Sequence, residues 1–140
     1  MKDENFTVKE ILSGARSAYE WILMSFEKNE IDEIRELLSE EVAEAFDAVV
    51  DQRVSQGLTI EAEFIGIREM KLVEAIYSSN TNTAEISVSF VGEMTSVVKN
   101  SSGEIVEGDP KQIKRQKDTW TFSKDIKSSN PNWLLVATGE

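Results

Sequence analysis

At 140 residues, with 40% apolar content, seven glycines and two prolines, the chain has the size and composition of one globular unit with one core. It contains no cysteine and no histidine. That excludes disulfides and thiolate chemistry, and removes the side chain that most often serves as general base or metal ligand near neutral pH. The net charge of −11 argues against nucleic acid, because phosphate binding is driven by Lys and Arg displacing counterions.

No stretch approaches the roughly 18 apolar residues of a membrane span. Met1-Lys2-Asp3-Glu4-Asn5 also lacks the basic and then apolar layout of a signal peptide, so a soluble chain is expected. The charge is unevenly placed. Residues 1–76 hold 18 acidic and 8 basic residues, a net of −10, whereas residues 77–140 hold 8 and 7. Within the second half, Lys111, Lys114, Arg115, Lys117, Lys124 and Lys127 are interspersed with only Asp118 and Asp125. A carboxylate, lysine or tyrosine would have to carry any catalysis.

In chain order, Ala15, Ala18, Tyr19, Ile22, Leu23 and Phe26 recur at spacings of three and four between Leu12 and Phe26, one face of an amphipathic helix. Asn29 is placed to cap a second, short helix that buries Ile31, Ile34, Leu37 and Leu38. Ser39 followed by Glu40 and Glu41 predicts a third helix start, a capping hydroxyl with carboxylates at the positive end of the dipole. Its stripe is Val42, Phe46, Val49, Val50 and Val54, and Gly57 ends it.

Beyond Gly57 the period changes to two. Residues 60–67 and 70–77 read as two strand segments, with a bend or bulge at Gly66 or Glu69. From Thr83 to Val98, Ala84, Ile86, Val88, Phe90 and Met94 alternate with Glu85, Ser87, Ser89, Glu93 and Thr95. Asn100-Ser101-Ser102-Gly103 predicts a turn and Gly108-Asp109-Pro110 a second irregular point. Residues 112–123 predict a strand carrying Trp120 and Phe122. Ser128-Ser129-Asn130-Pro131 then turns the chain into a last strand, Trp133 to Thr138.

Helices followed by a run of antiparallel strands predict one α+β domain over residues 1–140, with the helices lying together on one side of a curved sheet. Such a bent sheet forms a cone with a pocket, the nuclear-transport-factor-two-like architecture.

Asp118-Thr119-Trp120-Thr121-Phe122 and Pro131-Asn132-Trp133-Leu134-Leu135 together resemble the signature near the end of the Tim44-like domain family. Ala15-Arg16-Ser17-Ala18-Tyr19 through Phe26, Leu37-Leu38-Ser39-Glu40-Glu41-Val42, Phe46, Arg53, Gly57 and Gly103 to Pro110 fall in the order the family shows. The resemblance spans nearly the whole chain and is stronger to the bacterial branch. Asn29-Glu30 and Lys124 depart from the family's usual Gly-Asp and Arg. The resemblance implies the cone fold and a non-enzymatic scaffold without cofactor. It also implies association with the inner membrane, through an N-terminal anchor absent from this chain, and protein partners in protein translocation or membrane-protein handling.

Two groups of residues are candidate sites. Trp120, Phe122, Trp133, Leu135, Phe90 and Phe64 either line a pocket for an apolar ligand or peptide, or form cross-strand core pairs. Lys111, Lys114, Arg115 and Lys117 are either a solvated, edge-protecting run or a contact for anionic lipid or an acidic partner. The acidic helices are repelled by anionic headgroups within about one Debye length, roughly 8–10 Å, so lipid contact is expected through the basic strand instead. The same run set against the acidic helices of a second copy would give a symmetric dimer. Asp118 shares the parity of Trp120 and Phe122 and is the one carboxylate expected to point inward. There it would serve a small-molecule-binding or isomerase-like pocket, pair with a lysine or cap a turn. Glu61, Glu63, Glu85 and Glu93 are further carboxylates of the kind that acid–base work needs, but Glu85 and Glu93 fall on the polar face of their strand.

Overall fold

The computed structural model describes residues 8–125, 127 and 133–139. The N-terminal pentapeptide and the expected turn at Ser128 to Pro131 lie outside these described residues. Helices α1 (Val8–Glu27) and α2 (Glu40–Ser55) precede the strands β1 (Thr59–Ser78), β2 (Thr83–Lys99), β3 (Ile105–Gly108), β4 (Lys114–Asp125) and β5 (Leu134–Gly139). The strands form a wholly antiparallel sheet in the order β1-β2-β4-β5, with β3 paired to the end of β2 beyond β4. The expected α+β fold, helices packed on one side of a curved antiparallel sheet, is the fold adopted.

The expected middle helix is not one. Asn29 takes a left-handed conformation (φ 61°) and closes α1, its N–H reaching the Phe26 carbonyl while the Glu30 N–H reaches Ser25. The residues that follow make two single 3₁₀ turns, Ile31–Glu33 and Arg35–Leu37, without a side-chain cap. Ile31, Ile34 and Leu37 are spaced by three, the repeat of a 3₁₀ turn; Ile31, Ile34 and Leu38 are buried, and Leu37 packs against the core. At α2 the expected cap is present. The Ser39 hydroxyl accepts from the Val42 N–H at 3.2 Å, and Gly57 (φ 69°) ends the helix with the Leu58 N–H on the Arg53 carbonyl. The α2 stripe is narrower than expected. Val42 and Ala43 are buried and Phe46 and Val50 pack on the core, but Val49 and Val54 face solvent.

β1 is one strand of 20 residues rather than two segments. Its register slips between Phe64 and Gly66, Ile67 and Glu69, and Leu72 and Glu74. Each slip leaves a residue unpaired, and bulges of this kind bend and twist a strand. Two of the three fall beside Gly66 and Glu69, the positions marked from sequence.

β2 buries Ile86, Val88, Phe90 and Met94 as the alternation requires. β3 was not expected. All four of its residues are exposed, so no apolar alternation marks it, and its pairing is fixed by backbone geometry at Gly108. There φ is 90°, and a Cβ would press into the Ser96 carbonyl oxygen. β4 runs two residues later at each end than the expected 112–123. The Ser39 N–H donates to the Leu135 carbonyl at 2.9 Å, and Leu38 pairs with Leu135, which ties the inter-helix segment to β5.

Candidate functional site

The inner face of β2 and β4 carries an aromatic plate. Phe90, Trp120 and Phe122 are buried, and Tyr19 of α1 lies flat on Phe90, ring centroids 4.1 Å apart and 9° from parallel. Trp120 stands 4.7 Å from Tyr19 at 59°. Close approach of Tyr19 depends on Gly92, where a Cβ would come within 3.0 Å of the phenol oxygen. Of the six residues grouped from sequence, Phe90, Trp120, Phe122 and Leu135 are thus covered by protein, and Leu135 has no exposed surface. Trp133 and Phe64 are half-buried and pack against this core. Phe64 also faces a groove of about 550 Å³ between α1 and β1, with Trp21, Met24 and Ala62 along its walls and Glu20, Glu63 and Lys28 at its rim. Trp21 is 52% exposed. Sequence reasoning passed over it because it lies off the apolar stripe of α1, yet a tryptophan off the stripe is itself the signal of an exposed aromatic.

Asp118 points inward, as its parity requires. Its expected partner, a lysine or a turn, is replaced by two neutral donors. The Tyr19 phenol donates to Asp118 Oδ2 at 2.7 Å, and Gln116 Nε2 donates to the same oxygen at 3.0 Å. Burial, and then the bond to this carboxylate, raise the Tyr19 phenol far above its ordinary range, so it is a fixed donor. Tyr19 was missed as a partner because a contact across 99 residues leaves no local spacing to read, whereas Gln116 lies two residues from Asp118 on the same face of β4, a local spacing that strand alternation could have found.

At the end of α1, Arg53 of α2 donates to the Phe26 carbonyl at 2.9 Å and to Asn29 Oδ1 at 3.0 Å. Its guanidinium carbon lies 4.5 Å from the centre of the Phe26 ring, and it stands 4.0 Å from Glu27. Burial raises the Glu27 carboxyl, against the pull of Arg53 and Lys114, and burial lowers Arg53. This cluster clasps the two helices. Outside it, Arg35 bridges Asp32 and Asp47, each at 2.9 Å, on the acidic surface, and its bonds hold Asp47 below the usual carboxylate value.

The four candidate cations all lie at the surface. Lys111 sits in the turn where its own N–H donates to Asp109 Oδ1 at 2.8 Å. Lys114, Arg115 and Lys117 follow on β4, where with Gln116 and Asp118 they border a concavity of about 480 Å³. Arg115 Nε contacts Glu93 Oε2 across the strand pair at 3.3 Å. The structure therefore separates the two groups: the aromatics under α1, the cations along the outer part of β4. Glu85 is exposed, and Glu61 pairs with Lys99 at 3.1 Å. Among the described residues no cluster of acidic side chains is arranged to hold a metal ion, and no helix is long and apolar enough to cross a membrane.

Comparison with solved structures finds the same fold in the intermembrane-space region of the chloroplast protein ARC6. The TM-score is 0.61 at 9% identity, over 96% of this chain and 95% of that one. Among characterised proteins, a segment of 51 residues is 41% identical to the probable mitochondrial import inner membrane translocase subunit tin-44 of Caenorhabditis elegans. A segment of the same length is 35% identical to the mitochondrial import inner membrane translocase subunit TIM44 of Mus musculus. Each match takes in 35% of this chain and spans only 12% and 11% of the respective relative. A family model for the Tim44-like domain matches residues 1–140, and the chain belongs to that family.

Proposed function

We propose that this chain is one non-enzymatic, protein-binding Tim44-like domain that acts as a scaffold at the inner membrane in protein translocation or membrane-protein handling. The observation that carries this reading is the family match over residues 1–140, together with relatives named as inner membrane translocase subunits. The interior supports it. The carboxylate best placed for acid–base work, Asp118, already accepts from Tyr19 and Gln116. The plate of Phe90, Trp120 and Phe122 is covered by Tyr19 and its neighbours rather than open to a substrate. A base already held by two donors is poorly placed to take a proton from a ligand.

Contact with a partner or with anionic lipid falls to the sheet rather than the helices in this reading, because β4 carries the exposed cations Lys114, Arg115 and Lys117 while the helical half of the chain is acidic. The test is capture from native inner membranes with the full-length protein as bait. Recovery of a component of the translocation machinery is expected. Recovery of none would remove the inner-membrane scaffold reading.

A further inference from the structure

The sheet has a second face. Phe64, Met70 and Leu72 of β1 pair with Met94, Phe90 and Val88 of β2 and turn inward, the side on which both helices pack. By alternation the residues between them project outward. At the slips in β1 this turns Ile65 and Val73 to the outward face, and Ile76 joins them opposite Glu85. Each of the three is more than half exposed. Across the middle of the face, β2 and β4 carry small hydroxyls. Ser87 and Thr121 bond to each other at 2.9 Å, and Ser89 is paired with Thr119.

Charge sets this face apart from the helices. Its β1 strand contributes Glu63, Glu69 and Glu74 with Arg68 and Lys71. Glu85 and Glu93 of β2 and Arg115 and Lys117 of β4 complete it, so five carboxylates and four cations give a net of −1. Residues 1–58, which hold the helices, carry 14 acidic and 6 basic residues, a net of −8. Two copies that approach through their helices repel, whereas through the outward face they meet with mixed signs.

The signs are also placed for self-recognition. Glu69 of β1 and Lys117 of β4 both pair with Val91 of β2, so they flank it at one level of the sheet. A two-fold axis running along β2 between two sheets lays β1 of each copy over β4 of the other. It sets Glu69 of one copy against Lys117 of the other, twice, and the β1 aliphatics against the methyl groups of Thr119 and Thr121. Three strands about 4.8 Å apart, over the Glu85 to Thr95 stretch at about 3.4 Å per residue, give on the order of 500 Å² per copy. Doubled, that is about 1,000 Å², the lower bound for a specific interface and the size of a weak, reversible one.

We propose that the outward face of β1, β2 and β4 binds a second copy of this chain, sheet to sheet, as a weak two-fold dimer. Lys111 lies in the turn before β4 and Lys114 turns inward opposite Met94, so both stay outside the interface and remain available for the contacts proposed above.

Sedimentation velocity over a concentration series reads the association, and a concentration-dependent dimer is expected. Ser89→Glu brings two added carboxylates together at the axis and should leave a monomer with an unchanged circular dichroism spectrum. Lys117→Glu and Glu69→Lys should each weaken the dimer about tenfold, since each disturbs two contacts per dimer, and the double exchange should restore it. Should Ser89→Glu disturb the fold, the exchange pair decides alone. A chain that stays monomeric at every concentration overturns the proposal, as does a double exchange that restores nothing. A dimer that a folded Ser89→Glu chain still forms, but that Lys111→Glu with Lys114→Glu abolishes, uses the basic run against the acidic helices and also overturns it.

Discussion

Tyr19 does three things at once, and each has a separable energy. Its ring stacks on Phe90, its edge meets Trp120, and its phenol donates to Asp118 across the core. Tyr19→Phe keeps the stacking and removes only the donor. Asp118 then keeps Gln116 but loses its shorter bond, and the expected cost is about 1.5–3 kcal/mol, the range for a hydrogen bond to a charged group. Urea unfolding should show that loss as a lower midpoint at unchanged slope; an unchanged midpoint would mean that the bond contributes nothing net.

Glu27 gives a pH signature. Its folded-state carboxyl is raised above the ordinary 4.5 by burial. The folded chain therefore holds the proton more tightly than the unfolded chain. Stability from this group is greatest below the unfolded value and is lost as pH rises from there through the folded value. Glu27→Gln should flatten stability against pH over that interval while leaving the Arg53 bonds to Phe26 and Asn29 in place. A profile that matches the unmodified chain would refute the assignment.

At the scale of elements, β3 is the most conditional. It is short and exposed, and it leans on one residue in a conformation that L side chains rarely adopt. Gly108→Ala forces a methyl group against the Ser96 carbonyl and strains the backbone, so β3 should detach from the end of β2. Hydrogen exchange should accelerate at Val97 to Lys99 while Ile86 to Met94 stays protected, with a global cost of about 1–3 kcal/mol. Unchanged exchange at the end of β2 would mean that side chains hold the pairing. The same scale shows how far pattern reaches. The starts and stops at Ser39 and Gly57 were legible because capping is local chemistry. Asn29 was identified as a special position but assigned to the wrong helix, since a left-handed residue between two apolar runs can close one or open the next. Register slips in β1 could be expected near Gly66 and Glu69 but not counted, because a bulge is settled by the partner strand.

For the whole molecule, charge and topology act together. The acidic surface belongs to the helices, where Arg35 is drawn between Asp32 and Asp47, and the cations belong to the outer part of β4. Linear sequence showed both groups. It did not show that Arg115 meets Glu93 across β2 and β4, because that contact depends on the register of two distant segments. It did show that Asp118 faces inward, because strand parity is local, while its partner Tyr19 lies 99 residues away. The sequence by itself determined the fold class, the capped helix α2, the alternation of β2 and the family. Periodicity, caps and motif order are properties of neighbouring residues. Only the tertiary structure decided that the middle helix is two 3₁₀ turns, that four of the six candidate pocket residues are covered by protein, and that Tyr19 meets Asp118. Each of those depends on what the rest of the chain brings against it.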